Sequence, residues 1–379
     1  MTSPFPHDGN PPGINILGKI NQIEFTCPFT VYNPSQTNSV NVCWTVVSVD
    51  GVNRSNTAWF EYSYDEGATW SVYYTDTVLS CPVKSGISFR INTSNAGSAD
   101  ILGNLYSNIR YSVKLILYGY AYVYGNILSL IRAKYYKYND NNIISYDATH
   151  NLGPVFSLCG SYLLNAPYLQ HIRGSTYMFA GVNEGMFEGC TSIVVPSELN
   201  IRPYSSSLYR MYKGCTSLRR SIAARFNVTD YREMFCNCTG LVTAKNPFTN
   251  PEATTVNKTD MFSNCTNLRE VKIESGTYNT GQNCSGMFRN NTSLESIHIP
   301  FSTVHNLYFT EMFYGCSSLS QVEVDFKFWR WTAGSNTIYP TTDWLSGVSP
   351  TGTFICPAEL DTSIRDASHI PEGWTIVTK

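Results

Sequence analysis

Charge is in short supply in this chain. Asp, Glu, Lys and Arg supply 14% of its 379 residues, against about a quarter in ordinary soluble chains. The 26 basic and 28 acidic side chains leave a net charge of -2. That balance gives no electrostatic reason to expect nucleic acid or an anionic membrane, and both are set aside as partners. Long apolar runs are missing too. No stretch approaches the roughly 18 residues of a spanning helix, and membrane insertion is not expected. The opening "MTSPFPHDGNPPGINILGK" has no basic n-region, no apolar core and no Leu-x-x-Cys, so neither general export nor a lipid anchor is expected.

Catalytic signatures are equally scarce. The six histidines, at positions 7, 150, 171, 298, 305 and 369, are scattered, and no H-E-x-x-H, G-x-S-x-G, phosphate-binding Gly loop or Cys-x-x-Cys is present. The expectation is therefore a protein with no catalytic residues, no cofactor and no metal. Carboxylate pairs for glycoside cleavage need only geometry, so a glycan-processing enzyme stays as a minor alternative. Twelve cysteines in 379 residues are too sparse for a disulfide scaffold. The "CNC" at 236 to 238 lacks a second ligand pair for a metal.

What the chain does have is a repeat. "MFEGCTSI" starts at Met186, "MYKGCTSL" at Met211, "MFCNCTGL" at Met234, "MFSNCTNL" at Met261, "MFRNNTSL" at Met287 and "MFYGCSSL" at Met312, at spacings of 25, 23, 27, 26 and 25 residues. A period in this range marks a solenoid, whose units bury their apolar faces only by stacking. Within a copy, Met261, Cys265 and Leu268 lie at i, i+4 and i+7, which predicts a turn or two of helix with all three on one face. Beyond it Val271 and Ile273 alternate with Glu270, Lys272 and Glu274, the two-residue period of a half-buried strand. Ile297 and Ile299 around His298, and Val322 and Val324 around Glu323, repeat that pattern. The predicted repeat core is Met186, Cys190, Met211, Cys215, Met234, Cys238, Met261, Cys265, Leu268, Met287, Leu294, Met312, Cys316 and Leu319. Asn291 replaces the thiol in the fifth copy. Thiols one rung apart, about 4.8 Å in a parallel stack, point the same way, which disfavours disulfides.

These copies resemble the BspA-like leucine-rich-repeat proteins, whose repeats read M-F-x-x-C-[TS]-x-L. The resemblance extends over about residues 55 to 379. "FEYSYDEGATWS", "ISFRIN" and "YGNILSLI" look like the elements that precede such repeats, and "WLSGVSPTGTFICPAELD" to "HIPEGWTIV" like their closing segment. Departures are Asn291, a degenerate "PVFSLCGS" near Cys159, and uneven spacing. The resemblance implies a mainly β fold with short helices: a small N-terminal β-sandwich, then a leucine-rich-repeat solenoid with a C-terminal cap. Such proteins occur on gut bacteria of the Bacteroides group, in parasitic protists and in phages of those bacteria.

Expected boundaries are an extended arm over 1–18, a β-sandwich-like module over 19–96, a connecting strand and solenoid N-cap over 97–150, the solenoid over 151–340 and a cap over 341–379. Short aromatic and β-branched runs between 19 and 96 predict the sandwich, with Trp44 and Trp59 in its core. "SYDEGATW", Ser63 to Trp70, has the form of an Asp-box, which is a turn rather than an active site. Tyr118, Tyr120, Tyr122 and Tyr124 alternate along one predicted strand side. They are candidates for packing, a subunit contact or a glycan surface. Trp329 and Trp331 in "FKFWRWTAG" read as cap aromatics, with carbohydrate stacking as the sharper alternative. Glu270, Lys272, Glu274, His298, Glu323 and Asp325 are the outward, ligand-facing candidates.

Packing claims the interior, so the outer faces are left for binding. The functional expectation is a non-enzymatic phage virion fibre or decoration protein, made in the host cytoplasm. Its Pro/Gly-rich arm would dock onto capsid or tail proteins and its repeats would face cell-surface proteins or glycans. A homo-oligomer is expected from the symmetry of such fibres. The alternative is an adhesin on a bacterial cell surface.

Overall fold

A computed structural model describes residues 28–48, 58, 60–92, 111–126, 130, 155–170, 184–196, 206–222, 228–245, 255–273, 281–333 and 335–379. The arm 1–18, Trp59 and Glu274 lie outside these residues. The chain divides into two compact units, 1–182 with 189–204, and 183–188 with 205–379.

Among the described residues the first unit holds nine strands: β1 (Phe29–Asn33), β2 (Val40–Ser48), β3 (Phe60–Ser63), β4 (Ser71–Tyr73), β5 (Leu79–Cys81), β6 (Ser85–Ile91), β7 (Tyr111–Leu117), β8 (Ala121–Asn126) and β9 (Leu163–Gln170). They form a six-stranded sheet in the order β4-β3-β6-β1-β8-β9 and a three-stranded sheet β5-β2-β7. Strands β7, β8 and β9, which follow residue 96, thus complete both sheets.

Trp44 on β2 is fully buried and packs across to Phe29, Phe60 and Phe89 of the other sheet at 5.7, 5.3 and 5.6 Å between ring centroids. Offset and edge-on contacts of this kind bind two sheets into one core. The Trp44 backbone N–H donates to the Tyr73 hydroxyl oxygen at 2.8 Å, and that hydroxyl donates to the Thr77 carbonyl at 2.6 Å.

The second unit is the solenoid. One parallel sheet runs β10 (Ser206–Ser207), β11 (Val228–Asp230), β13 (Thr255–Asn257), β15 (Gly281–Asn283) and β17 (Leu307–Tyr308). A second row follows the repeat leucines. It comprises β12 (Thr243–Ala244) paired with β14 (Glu270–Val271), then a four-stranded parallel sheet of β16 (Ser296–Ile299), β18 (Gln321–Val324), β21 (Gly352–Cys356) and β22 (Trp374–Thr378). A hairpin, β19 (Trp331–Ala333) with β20 (Asn336–Ile338), interrupts the path from β18 to β21.

The segment from Met to Leu departs from the expected helix. It is two successive tight turns, and the helical pieces among the described residues are the three-residue 3-10 turn Gly160–Tyr162 and the single 3-10 residue Leu130. Left-handed backbone recurs before each methionine (Arg210, Glu233, Asp260, Gly286, Glu311) and before each cysteine position (Gly214, Asn237, Asn264, Asn290, Gly315). A helix cannot pass through such residues, and Gly and Asn are the types that tolerate them best. Alternate amides serve different ends. Met261 and Ser263 N–H donate within the turn, to Lys258 and Asp260 carbonyls, whereas Asp260, Phe262 and Asn264 N–H donate to the next rung, at Ser285, Met287 and Arg289. The turns are thereby a third ladder between rungs.

That geometry buries a residue that helical spacing would put off the face. Phe187, Tyr212, Phe235, Phe262, Phe288 and Phe313 are all buried. Their rings stack in one column at 5.2, 5.5, 5.2, 5.6 and 5.6 Å, tilted from parallel by 9° or less. Trp344, fully buried, closes the column against Phe313 at 6.0 Å. Three cap indoles are satisfied by backbone: Trp329 Nε1 donates to Asp361 O at 2.6 Å, Trp344 Nε1 to His369 O at 3.0 Å and Trp374 Nε1 to Ser349 O at 2.8 Å.

Candidate functional site

The repeat core of the second unit is sealed from solvent. Met186, Met211, Cys215, Met234, Cys238, Met261, Cys265, Leu268, Met287, Leu294, Met312, Cys316 and Leu319 are at most 1% exposed, as is Cys190 in the first unit. The column thiols also link successive rungs. Sγ of Cys215, Cys238, Cys265 and Cys316 donates to the carbonyl of Phe187, Tyr212, Phe235 and Phe288, at 3.1, 3.0, 3.1 and 3.0 Å. Within the first unit Cys190 does the same to Phe156 at 3.2 Å. Phe156 and Cys159 lie in the degenerate "VFSLC", and the Cys159 N–H closes the usual turn onto Phe156 O at 2.9 Å.

Burial pushes these thiols up, Cys316 to about 12 and Cys238 and Cys265 well above the ordinary value. A thiol held protonated is neither nucleophile nor ready metal ligand. The eleven described cysteines are all free and buried. Asn291 occupies the vacant place in the column with an amide. Its Oδ1 accepts from Cys265 N–H at 2.8 Å, while its buried Nδ2 has no partner.

The outward side is built by the same strands. Period-two alternation turns Ile297, Ile299, Val322, Val324, Phe354 and Cys356 inward, all buried. Their neighbours face out in two rows across the sheet. Ser296 pairs with Gln321, Gln321 with Thr353 and Thr353 with Thr375; His298 pairs with Glu323, Glu323 with Ile355 and Ile355 with Val377. Asp325 follows two residues beyond Glu323 on the same side. Its carboxylate and that of Glu323 converge on His298, with His298 Nε2 at 3.2 Å from Asp325 Oδ2 and 3.8 Å from Glu323 Oε1.

Lys379 reaches the same place, bonding Glu323 at 2.6 Å and also Asp325. Burial pushes the Asp325 carboxyl up, but Lys379 and His298 outweigh it and hold it below the ordinary range. Glu270 and Lys272 are exposed on the preceding rung. The structure thus brings together His298, Glu323 and Asp325 out of the outward candidates, and adds Lys379, which no spacing rule connects to them.

Two sets of aromatic candidates are placed differently from their sequence reading. The chain reverses at 118–119, so Tyr118 and Tyr120 are exposed, at 55% and 51%, whereas Tyr122 lies within β8 and is 8% exposed. Tyr124 is intermediate. The four phenols therefore do not share one strand side. Tyr120 meets Tyr162 edge-on at 5.7 Å. Trp329 is 5% exposed among Phe326, Trp344, Phe354 and His369, so its ring has no face left for a sugar. Trp331, half-buried on β19, packs on His305 and Tyr308 at 5.1 and 5.9 Å. The exposed aromatic of that stretch is Phe328, at 67%.

The Asp-box is a turn linking β3 to β4. Asp65 accepts from Thr69 N–H and hydroxyl at 2.9 and 2.6 Å, Gly67 has φ of 98°, and Trp70 Nε1 donates to Gly67 O at 2.8 Å. Hydrogen bonds from Ser63 and Thr69 hold the Asp65 carboxyl down at about 2. Arg90 lies over Trp70 at 4.1 Å while its guanidinium bonds Glu61 at 2.7 Å, which pins the turn to the sheet.

Parallel strands, turn ladders and a closed core of Met, Phe or Tyr, Cys or Asn, and Leu at each rung define a leucine-rich-repeat solenoid that follows an N-terminal β region in the chain. The family model of the BspA type leucine rich repeat region matches the chain in 6 copies, over residues 168–284 and 231–330. No curated protein and no solved structure is similar enough to match. No helix among the described residues is long and apolar enough to cross a membrane.

Proposed function

We propose that this chain is a non-enzymatic, surface-binding protein that uses the outward face of its solenoid to hold a ligand on another surface. The observation that carries this reading is the division of labour along each strand. Every inward side chain of β16, β18 and β21 is committed to packing, while Ser296, Gln321, Thr353 and Thr375, with His298 and Glu323, present polar groups on one continuous face. The match to BspA type repeats supports a binding or adhesive role. A polar and weakly charged face suits cell-surface proteins or glycans, which are bound through many modest contacts.

The test is direct binding of the full chain to arrayed glycans and extracellular proteins, repeated with Ser296→Lys and Gln321→Lys. Both substitutions crowd the face without touching the core. Loss of a wild-type hit by about tenfold or more in both supports the reading, and a hit that survives both overturns it.

The place of display is a further part of this proposal. The first setting is a virion, with the arm 1–18 docking onto capsid or tail proteins and the chain assembled as a homo-oligomer; the second is a bacterial cell surface. Removal of residues 1–18 should leave the repeats folded and abolish incorporation into particles. Recovery of the native protein with the envelope fraction, and none with particles, selects the adhesin setting instead.

A further inference from the structure

We propose that His298, Glu323 and Asp325 form a site for one divalent transition-metal ion, Zn²⁺ being the fitting probe, and that the Lys379 ammonium is the cation this ion displaces. The argument starts with strand register. Parallel pairing sets His298 directly beside Glu323, and the two-residue period returns Asp325 to the same face. One imidazole nitrogen and two carboxylate oxygens therefore project together, and these donor atoms all lie within 4.8 Å of one another.

Spacing and chemistry both suit zinc. Zinc bonds nitrogen and oxygen at about 2.0 to 2.2 Å, so adjacent donors around a tetrahedral ion stand about 3.4 Å apart. The separations from His298 Nε2, 3.2 Å to Asp325 and 3.8 Å to Glu323, bracket that value. Three protein donors leave a fourth position open to water or to a donor from outside the chain.

The site also already handles a cation. Lys379 N–H donates to Cys356 O at 3.0 Å at the end of β22, and its side chain crosses β21 to meet both carboxylates. Two carboxylates and one ammonium sum to -1. Replacing the ammonium by a divalent ion makes the three-ligand set neutral and frees Lys379 for solvent. The side chains are a third to a half exposed, so the exchange needs no opening of the core. Displacing Lys379 costs affinity, which makes this a site of modest strength that removal of the lysine should improve.

The experiment is calorimetric titration of zinc chloride into the full chain at neutral pH, under reducing conditions, with His298→Ala, Glu323→Gln and Lys379→Ala in parallel. Urea midpoints serve as the check on folding. The expected result is one ion per chain, affinity lowered by about tenfold or more in His298→Ala and in Glu323→Gln, and raised by about fivefold in Lys379→Ala. Absence of one-to-one binding, or wild-type affinity in either of the first two variants, overturns the site. Unchanged or weaker binding by Lys379→Ala overturns the displacement. The titration needs no protein or glycan partner, so its outcome is separate from that of the binding face.

Discussion

The Sγ of Cys265 donates to the carbonyl oxygen of Phe235, one rung earlier, at 3.1 Å. The repeat cysteine is thus a small apolar residue that also carries a proton for the preceding rung. Cys265→Ala should remove that bond and leave a small void, at a cost of about 1 to 3 kcal/mol by urea denaturation. A neutral outcome would show that the sulfur contributes neither packing nor hydrogen bonding.

The fifth rung offers the converse change. Asn291 leaves its Nδ2 buried without a partner and draws Cys265 N–H away from the turn bond that Cys238 and Cys316 N–H make, to Phe235 and Phe313 O. Asn291→Cys restores the column and should stabilise the chain by about 1 kcal/mol. A lower urea midpoint in that variant would mean that the amide is the better fit.

Leu294 is fully buried between rungs. Leu294→Ala should cost about 2 to 5 kcal/mol. The midpoint shift in denaturant reads this, and a shift near zero would undo the stacking register.

How much of this was legible in the sequence depends on the residue. Met261, Cys265 and Leu268 declare a buried face by spacing alone, and Ile297 with Ile299 declares a strand. Spacing at i, i+4 and i+7 suits a helix and these turns alike. Phe262, about 100° from Met261 on a helix, is equally buried. The Gly or Asn before each cysteine was the available signal, being a poor helix residue and a good left-handed one. Glu323 and Asp325 were readable as outward, whereas Lys379 joins them only through the pairing of β21 with β22. The tyrosine row failed at one bend, which alternation cannot foresee.

Lys258 is fully buried and bonds Gln282. Burial holds its ammonium down at about 8, from an ordinary 10.5, with Cys284 opposing only in part. A lysine depressed in the folded state carries its full penalty below pH 8, and the penalty fades as pH rises toward 10.5. That difference corresponds to about 3 kcal/mol. The stability of Lys258→Met relative to wild type should therefore be highest near pH 7 and decline across this window. Buried thiols titrate with the opposite sign and are common to both proteins, so they cancel in the difference except at Cys284, which the Lys258 charge lowers. A pH-independent gap would place the Lys258 charge in water.

The most direct measurement is native-state alkylation mapped by mass spectrometry. Sealed, protonated thiols react only when the solenoid opens, so Cys215, Cys238, Cys265 and Cys316 should stay unmodified at pH 8 without denaturant and become fully modified in urea. Modification of these four in the native protein at the rate of a free thiol would contradict the packed column, and with it the assignment of binding to the outer face.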